Sequence, residues 1–181
     1  MSSWKILIER GNLGFSAAHF ITMEGRCEPL HGHNYGVRVE VTGGLTPDSY
    51  VCDFVTLKAI VRALCKEWEH RFLLPLRNPH LDVRERDGGW EIVYDAATRY
   101  VLPTSAVVTL DTDNATTERL AELLAHRLVA ELRARGLGEG IERIVVGVEE
   151  TEMQTAFYML DLSALDLSAG ADDATHPPGG A

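Results

Sequence analysis

The chain has 181 residues, 45% of them hydrophobic, which is enough for one domain with a sizeable core. A formal net charge of -10 argues against general nucleic-acid binding, which needs a basic face, but allows a small anionic ligand met by local arginines. Three cysteines (Cys27, Cys52 and Cys65), no basic-then-apolar leader and no apolar run of membrane-spanning length predict a soluble cytoplasmic protein without a disulfide framework.

Residues 5–9 read as a short strand that continues, with a kink near Gly11 and Gly14, through residues 15–20. Val37, Val39 and Val41 alternate with Arg38, Glu40 and Thr42, the period of a half-buried strand, and Gly43-Gly44 ends it. Asp53 is suited to cap the helix that follows, whose apolar stripe is Leu57, Ile60, Val61, Leu64 and Trp68. Glu69 and His70 fall at or just past its end, and Pro75 and Pro79 mark a loop. Within residues 80–108, segments 90–94 and 99–102 read as the arms of an inserted surface hairpin, with Asp87-Gly88-Gly89 as the turn before it.

A second helix is expected from Thr116 or Thr117, with Leu120, Leu123, Leu124, Leu128 and Leu132 as its core stripe and Gly136 and Gly138 as its stop. Ile144, Val146, Val148 and Glu150 alternate along a third strand; Ala156, Tyr158 and Leu160 alternate along a fourth. From about Ser168 the composition collapses to small and polar residues, so residues 1–165 are expected to form one domain and 166–181 a disordered tail. His80, His126 and His176 are given no role. The order predicts an α+β fold: an antiparallel four-stranded sheet with two helices on one face. A sheet with two open edges suggests closure by joining neighbouring copies into a ring.

The chemistry is concentrated in Cys27-Glu28-Pro29-Leu30-His31-Gly32-His33-Asn34-Tyr35. In extended chain, residues i and i+2 point to the same side, so His31 and His33 can aim at one point. Upstream, Phe15-Ser16-Ala17-Ala18-His19 supplies a third imidazole. Three histidines without an obvious fourth ligand are the pattern of a catalytic zinc with one open position. A closed structural site with Cys27 as fourth ligand is the alternative. Cys27 and Glu28 lie close enough in sequence to serve as a thiolate and a carboxylate for proton transfer.

These motifs, over about residues 4 to 162, resemble the 6-pyruvoyltetrahydropterin synthase family, which includes 6-carboxytetrahydropterin synthase of the queuosine pathway. The family's Phe-Ser-Ala-x-His context matches His19, and its Cys-x-x-x-His-Gly-His-Asn-Tyr motif matches Cys27 to Tyr35. Its Asp-Phe helix start matches Asp53-Phe54, its Thr-x-Glu helix start Thr116-Thr117-Glu118, and its Glu-Thr Glu150-Thr151. The family's Asp-His pair appears as Glu69-His70, one methylene longer, and the proline common before the second helix is Ala115. The resemblance implies a tunnelling fold whose sheets pair into a barrel, a homohexamer of two trimers with sites at subunit interfaces, and 7,8-dihydroneopterin triphosphate as substrate.

The resemblance further implies zinc on His19, His31 and His33, acting on the oxygens of the substrate side chain. Cys27 would take a proton and His70, oriented by Glu69, would return or remove another. Glu150 would accept the adjacent N–H donors of the pterin, with Thr116, Thr117 and Glu118 adding hydrogen bonds. Arg26, Lys58 and Arg71 are candidates for the triphosphate. Family members with Cys-x-x-x-His-Gly-His make pyruvoyl or carboxy tetrahydropterin; those with Glu-x-x-His-Gly-His cleave the side chain to 6-hydroxymethyl-7,8-dihydropterin for folate. This chain carries both Cys27 and Glu28. The expectation is the 6-carboxytetrahydropterin synthase reaction, with side-chain cleavage as runner-up, alone or as a second activity, and 6-pyruvoyltetrahydropterin formation as another alternative. A non-catalytic zinc- or pterin-binding ring protein is the alternative of a different class.

Overall fold

The computed structural model describes residues 3–9, 12–96 and 98–162. The tail expected over 166–181, with His176, lies outside these residues, as does the end of the domain expected at 165. Among the described residues no helix is long and apolar enough to cross a membrane.

Strand β1 (Trp4–Ile8) and strand β2 (Gly14–His19) are separate, and both pair antiparallel with one long strand, β5 (His31–Gly43). The expected kink is therefore a full break. At Gly14 a Cβ would lie 2.2 Å from the Tyr35 carbonyl oxygen, so the close approach of β2 to β5 requires glycine there. A short hairpin of β3 (Thr22–Met23) and β4 (Arg26–Cys27) lies between β2 and β5 in the sequence. Helix α1 (Phe54–Trp68) is capped as expected: the Asp53 carboxylate accepts from the amides of Val55 and Thr56.

The four-stranded antiparallel sheet is not what forms. Strand β6 (Arg71–Pro75) follows α1 directly and pairs parallel with β2 and with β10 (Val107–Leu110). With β11 (Ile141–Thr151) and β12 (Gln154–Asp161), the result is a seven-stranded mixed sheet in the order β10-β6-β2-β5-β11-β12, with β1 also on β5. The physical reason is burial. In β6 the run Phe72, Leu73, Leu74 is buried without alternation, as parallel strands covered on both sides are, so no period marks it as a strand.

The insertion is also larger than a hairpin. Strands β7 (Leu81–Arg86), β8 (Gly89–Tyr94) and β9 (Thr98–Pro103) form a three-stranded meander, and Asp87-Gly88 turns β7 into β8. Strand β10 overlaps the end of the expected insertion at residues 107 and 108, yet it belongs to the main sheet.

Helix α2 (Thr117–Ala134) starts on the Thr116 cap, and both helices cover one face of the sheet. The core between them joins Tyr35, Val37, Val39 and Val41 of β5 and Ile144, Val146 and Val148 of β11 to the helical stripes read from the sequence. A second apolar cluster, built on Phe20, Phe72, Leu74, Ile92 and Val107, fastens the meander to the β6 end of the sheet. The face away from the helices is charged: Lys5 pairs with Glu40, Arg38 with Glu149, and Arg143 with Asp161.

Candidate metal centre and substrate cleft

The β2–β5 register brings the imidazoles together. His19 is directly opposite His31, and Ala17 is opposite His33, so one cross-strand pair and one i, i+2 pair share a face. One ring nitrogen from each of His19, His31 and His33 lies within 4.8 Å of the others. The side chains run from fully buried (His19, 0% exposed) through His33 (21%) to His31 (38%), so the cluster opens on one side.

The second nitrogens of two rings are already engaged. His19 Nδ1 donates to the Ala115 carbonyl at 2.8 Å and His31 Nδ1 to the Pro29 carbonyl at 2.8 Å. A carbonyl can only accept, so both rings carry their proton on Nδ1 and present a bare Nε2. Burial holds the His19 pKa below its ordinary value, which favours the neutral ligand form. A trio of imidazoles, two of them with tautomers fixed by backbone carbonyls, suits zinc in type and number.

Glu150 stands beside them at the end of β11. Its Oε1 is buried without a hydrogen-bond partner, 3.4 Å from His19 Nε2 and 3.7 Å from His33 Nε2. An orphaned carboxylate oxygen against the bare His19 Nε2 and the His33 ring is the arrangement that a cation or a donor-rich ligand would satisfy. The Tyr35 hydroxyl donates to His19 Nε2 at 3.1 Å, and burial, with the Glu150 charge, pushes its pKa far up, so it remains a donor. Tyr35 was read from the sequence only as part of a motif; its parity with His31 and His33 was the signal that places it here.

A cleft of about 480 Å³ runs from this point, lined by Glu28, Thr116, Thr117, Glu118 and Glu150, together with Gln154 and Thr155, which the sequence reading gave no role. All four residues expected to bind substrate thus line one cleft with Glu28. The Glu28 carboxylate is 4.0 Å from His31 Nε2. Cys27 is not among the cleft residues. It packs against the second apolar cluster, and burial with the Glu28 charge pushes its pKa above the ordinary thiol value.

Glu69 and His70 form the expected pair, but away from this cleft. Glu69 Oε1 is 3.1 Å from His70 Nε2, so the extra methylene does not break the contact, and Glu69 Oε2 is pinned by the Ser16 amide at 2.8 Å. His70 is 80% exposed at its side chain and has a φ of 57°. It faces a depression lined by Gly32, His33, Asn34 and Arg71. Of the triphosphate candidates, Arg71 lies beside this dyad, Lys58 lies over the Phe54 ring, and Arg26 is on β4; none lines the cleft.

A strand-borne imidazole trio beside a carboxylate- and hydroxyl-lined cleft defines an α+β protein with a candidate metal site. Comparison with known proteins makes this specific. Residues 10–161 match the family model described as 6-pyruvoyl tetrahydropterin synthase, and the chain belongs to that family. A Methanocaldococcus jannaschii protein with the provisional name 6-carboxy-5,6,7,8-tetrahydropterin synthase is 33% identical over 81% of this chain and 89% of its own length. The Bacillus subtilis protein of that name is 35% identical over 54% of this chain and 56% of its own. The solved Plasmodium vivax 6-pyruvoyltetrahydropterin synthase superposes with a TM-score of 0.84 at 30% identity, covering 89% of this chain and 99% of its own. Two further structures of that protein are described as catalytic-residue mutants, glutamate to alanine and glutamate to cysteine.

Proposed function

We propose that this chain is a zinc-dependent enzyme that converts 7,8-dihydroneopterin triphosphate to 6-carboxy-5,6,7,8-tetrahydropterin. The observation that carries the reading is the imidazole trio, with the His19 and His31 tautomers fixed, beside a cleft that holds Glu150 and Thr116–Glu118. The names of the curated relatives support the product. His19, His31 and His33 would hold the zinc, which when bound supplies Lewis-acid polarisation of the substrate's side-chain oxygens.

The remaining roles fall to the chain itself. Glu150 accepts the paired N–H donors of the pterin ring, and its orphaned oxygen gives it capacity to do so. Thr117 and Glu118 contact the bound ring from the start of α2, while the Thr116 hydroxyl also caps the helix by accepting from the Arg119 amide. Cys27 is the base for the carboxy product. Glu69 and His70 handle the second proton in the cleft of a neighbouring copy, because they do not line the cleft of their own. That requires a homo-oligomer, for which the family resemblance implies a hexamer of two trimers.

One observation favours a second reading. Glu28, not Cys27, reaches the cleft and His31, and the Plasmodium vivax relative has a glutamate described as catalytic. With Glu28 as base the reaction is cleavage of the side chain to 6-hydroxymethyl-7,8-dihydropterin, alone or beside the first. A Pyrococcus furiosus dihydroneopterin monophosphate aldolase, 42% identical over 33% of this chain, is consistent with it. Incubating the purified protein with dihydroneopterin triphosphate and identifying the products separates the two. Carboxy pterin with acetaldehyde supports the first, and hydroxymethyl pterin the second. Cys27→Ala and Glu28→Ala remove different products; turnover intact in both variants would overturn the base assignments.

A further inference from the structure

The two walls of the cleft are far apart in sequence, and one side chain joins them. Ile21, Met23 and Glu28, on and around the β3–β4 hairpin, form one wall; Thr116, Thr117 and Glu118 form the other. Asn114 lies between them. Its Nδ2 donates to the Thr22 carbonyl at 2.8 Å, and its Oδ1 accepts from the Thr22 amide at 3.3 Å and the Ala115 amide at 3.0 Å. The backbone partners fix which end of the carboxamide is which, since a carbonyl only accepts and an amide N–H only donates. One side chain thus satisfies both polar groups of Thr22, as a paired strand would. Buried Asn78 strengthens the join by donating to the Thr22 hydroxyl at 2.7 Å. The next residue, Ala115, is fully buried and offers the carbonyl that orients His19.

The geometry points to Asn114 as a positioning residue for the reaction: its carboxamide sets the gap between the Glu28 wall and the Thr116–Glu118 wall and steadies the carbonyl that holds the His19 ring. The inference rests on the zinc-dependent reading proposed above. Asparagine is required because the site needs a donor and an acceptor on one short side chain. Aspartate keeps both acceptor contacts but turns a carboxylate oxygen toward the Thr22 carbonyl.

The test compares the intact protein with Asn114→Ala, Asn114→Asp and Thr22→Val. Thr22→Val loses only the Asn78 bond and keeps both backbone bonds to Asn114. Zinc affinity is measured by competition with a chromophoric chelator, kcat and KM on dihydroneopterin triphosphate, and folding by thermal melting. Asn114→Ala weakens zinc about tenfold, the low end for loss of a group behind a metal ligand, and raises KM. Asn114→Asp keeps zinc affinity within about threefold, because the Ala115 contact survives, yet raises KM. Thr22→Val leaves zinc affinity unchanged. Wild-type zinc affinity and KM in Asn114→Ala overturn the inference, as does an equal loss in Thr22→Val that tracks a lowered melting temperature. If the alanine variant does not fold, Asn114→Asp decides: raised KM with zinc retained supports the role, and unchanged KM overturns it. A wild-type protein that binds no zinc overturns the proposed function and this inference with it, whereas a zinc-binding, active wild type matched by Asn114→Ala overturns the inference alone.

Discussion

His70 holds a backbone conformation that costs a β-carbon-bearing residue about 1 kcal/mol and that helix ends normally assign to glycine. Its amide donates to the Ser16 carbonyl at 2.7 Å, so the conformation is held by the sheet as well as the helix end. Strain kept in an exposed imidazole beside Glu69 is in keeping with the role proposed for it. His70→Gly is expected to stabilise the chain by about 1 kcal/mol in denaturant unfolding while abolishing turnover. Cys27 offers a second check. With its pKa raised, alkylation of the zinc-free native protein stays slow through neutral pH and accelerates only above the ordinary thiol value of 9.0; fast labelling near pH 7 would contradict its packing. At this scale the histidines were legible because i, i+2 spacing is local geometry. The functions of Tyr35 and Asn114 were not, because they depend on strand register and on a bond between residues 92 apart.

Elements with a clear period were legible: β5, β11, β12, α1 and α2 each carry alternation or a helical stripe that the core uses. Elements without one were not. Strands β6 and β10 are short and parallel, β6 is buried almost throughout, and it ends at Pro75, which pairs opposite Leu110 at the end of both strands where its missing N–H is tolerated. Leu73 in β6 is completely buried in the main core. Leu73→Ala should therefore cost about 3 kcal/mol in urea unfolding, as a core cavity does; a cost below about 1 kcal/mol would mean β6 is a peripheral strand. The meander was half legible. Its turn and two of its arms show in the sequence, but β7 alternates Leu81 and Val83 with charged residues too briefly to announce itself.

The main sheet ends at an edge strand, β12, whose Phe157 and Met159 are exposed on the face away from the helices. A dyad that misses its own cleft, and a β12 edge that pairs with no further strand among the described residues, are what the proposed ring of copies would use. The expectation can be tested by mixing. Chains carrying His33→Ala lack a metal ligand and chains carrying His70→Ala lack the dyad, and each is inactive alone. Co-refolded, they should regain activity at roughly a quarter of clefts, because random neighbours then pair an intact trio with an intact His70. No recovery would place the dyad in service of its own chain. Single-chain patterning could suggest a ring but not its geometry, because the surfaces that meet carry no period of their own.

Strand β2 carries His19 at one end and, three residues earlier, the Ser16 amide that pins Glu69. The separation is roughly 10 Å of hydrogen-bonded extended backbone. If each copy lends its dyad to the next, this strand is a ruler that fixes the stride from one reaction centre to the following one. A lengthening or slip in those few residues would then put every centre in the ring out of step at once, although no chemical group had been altered.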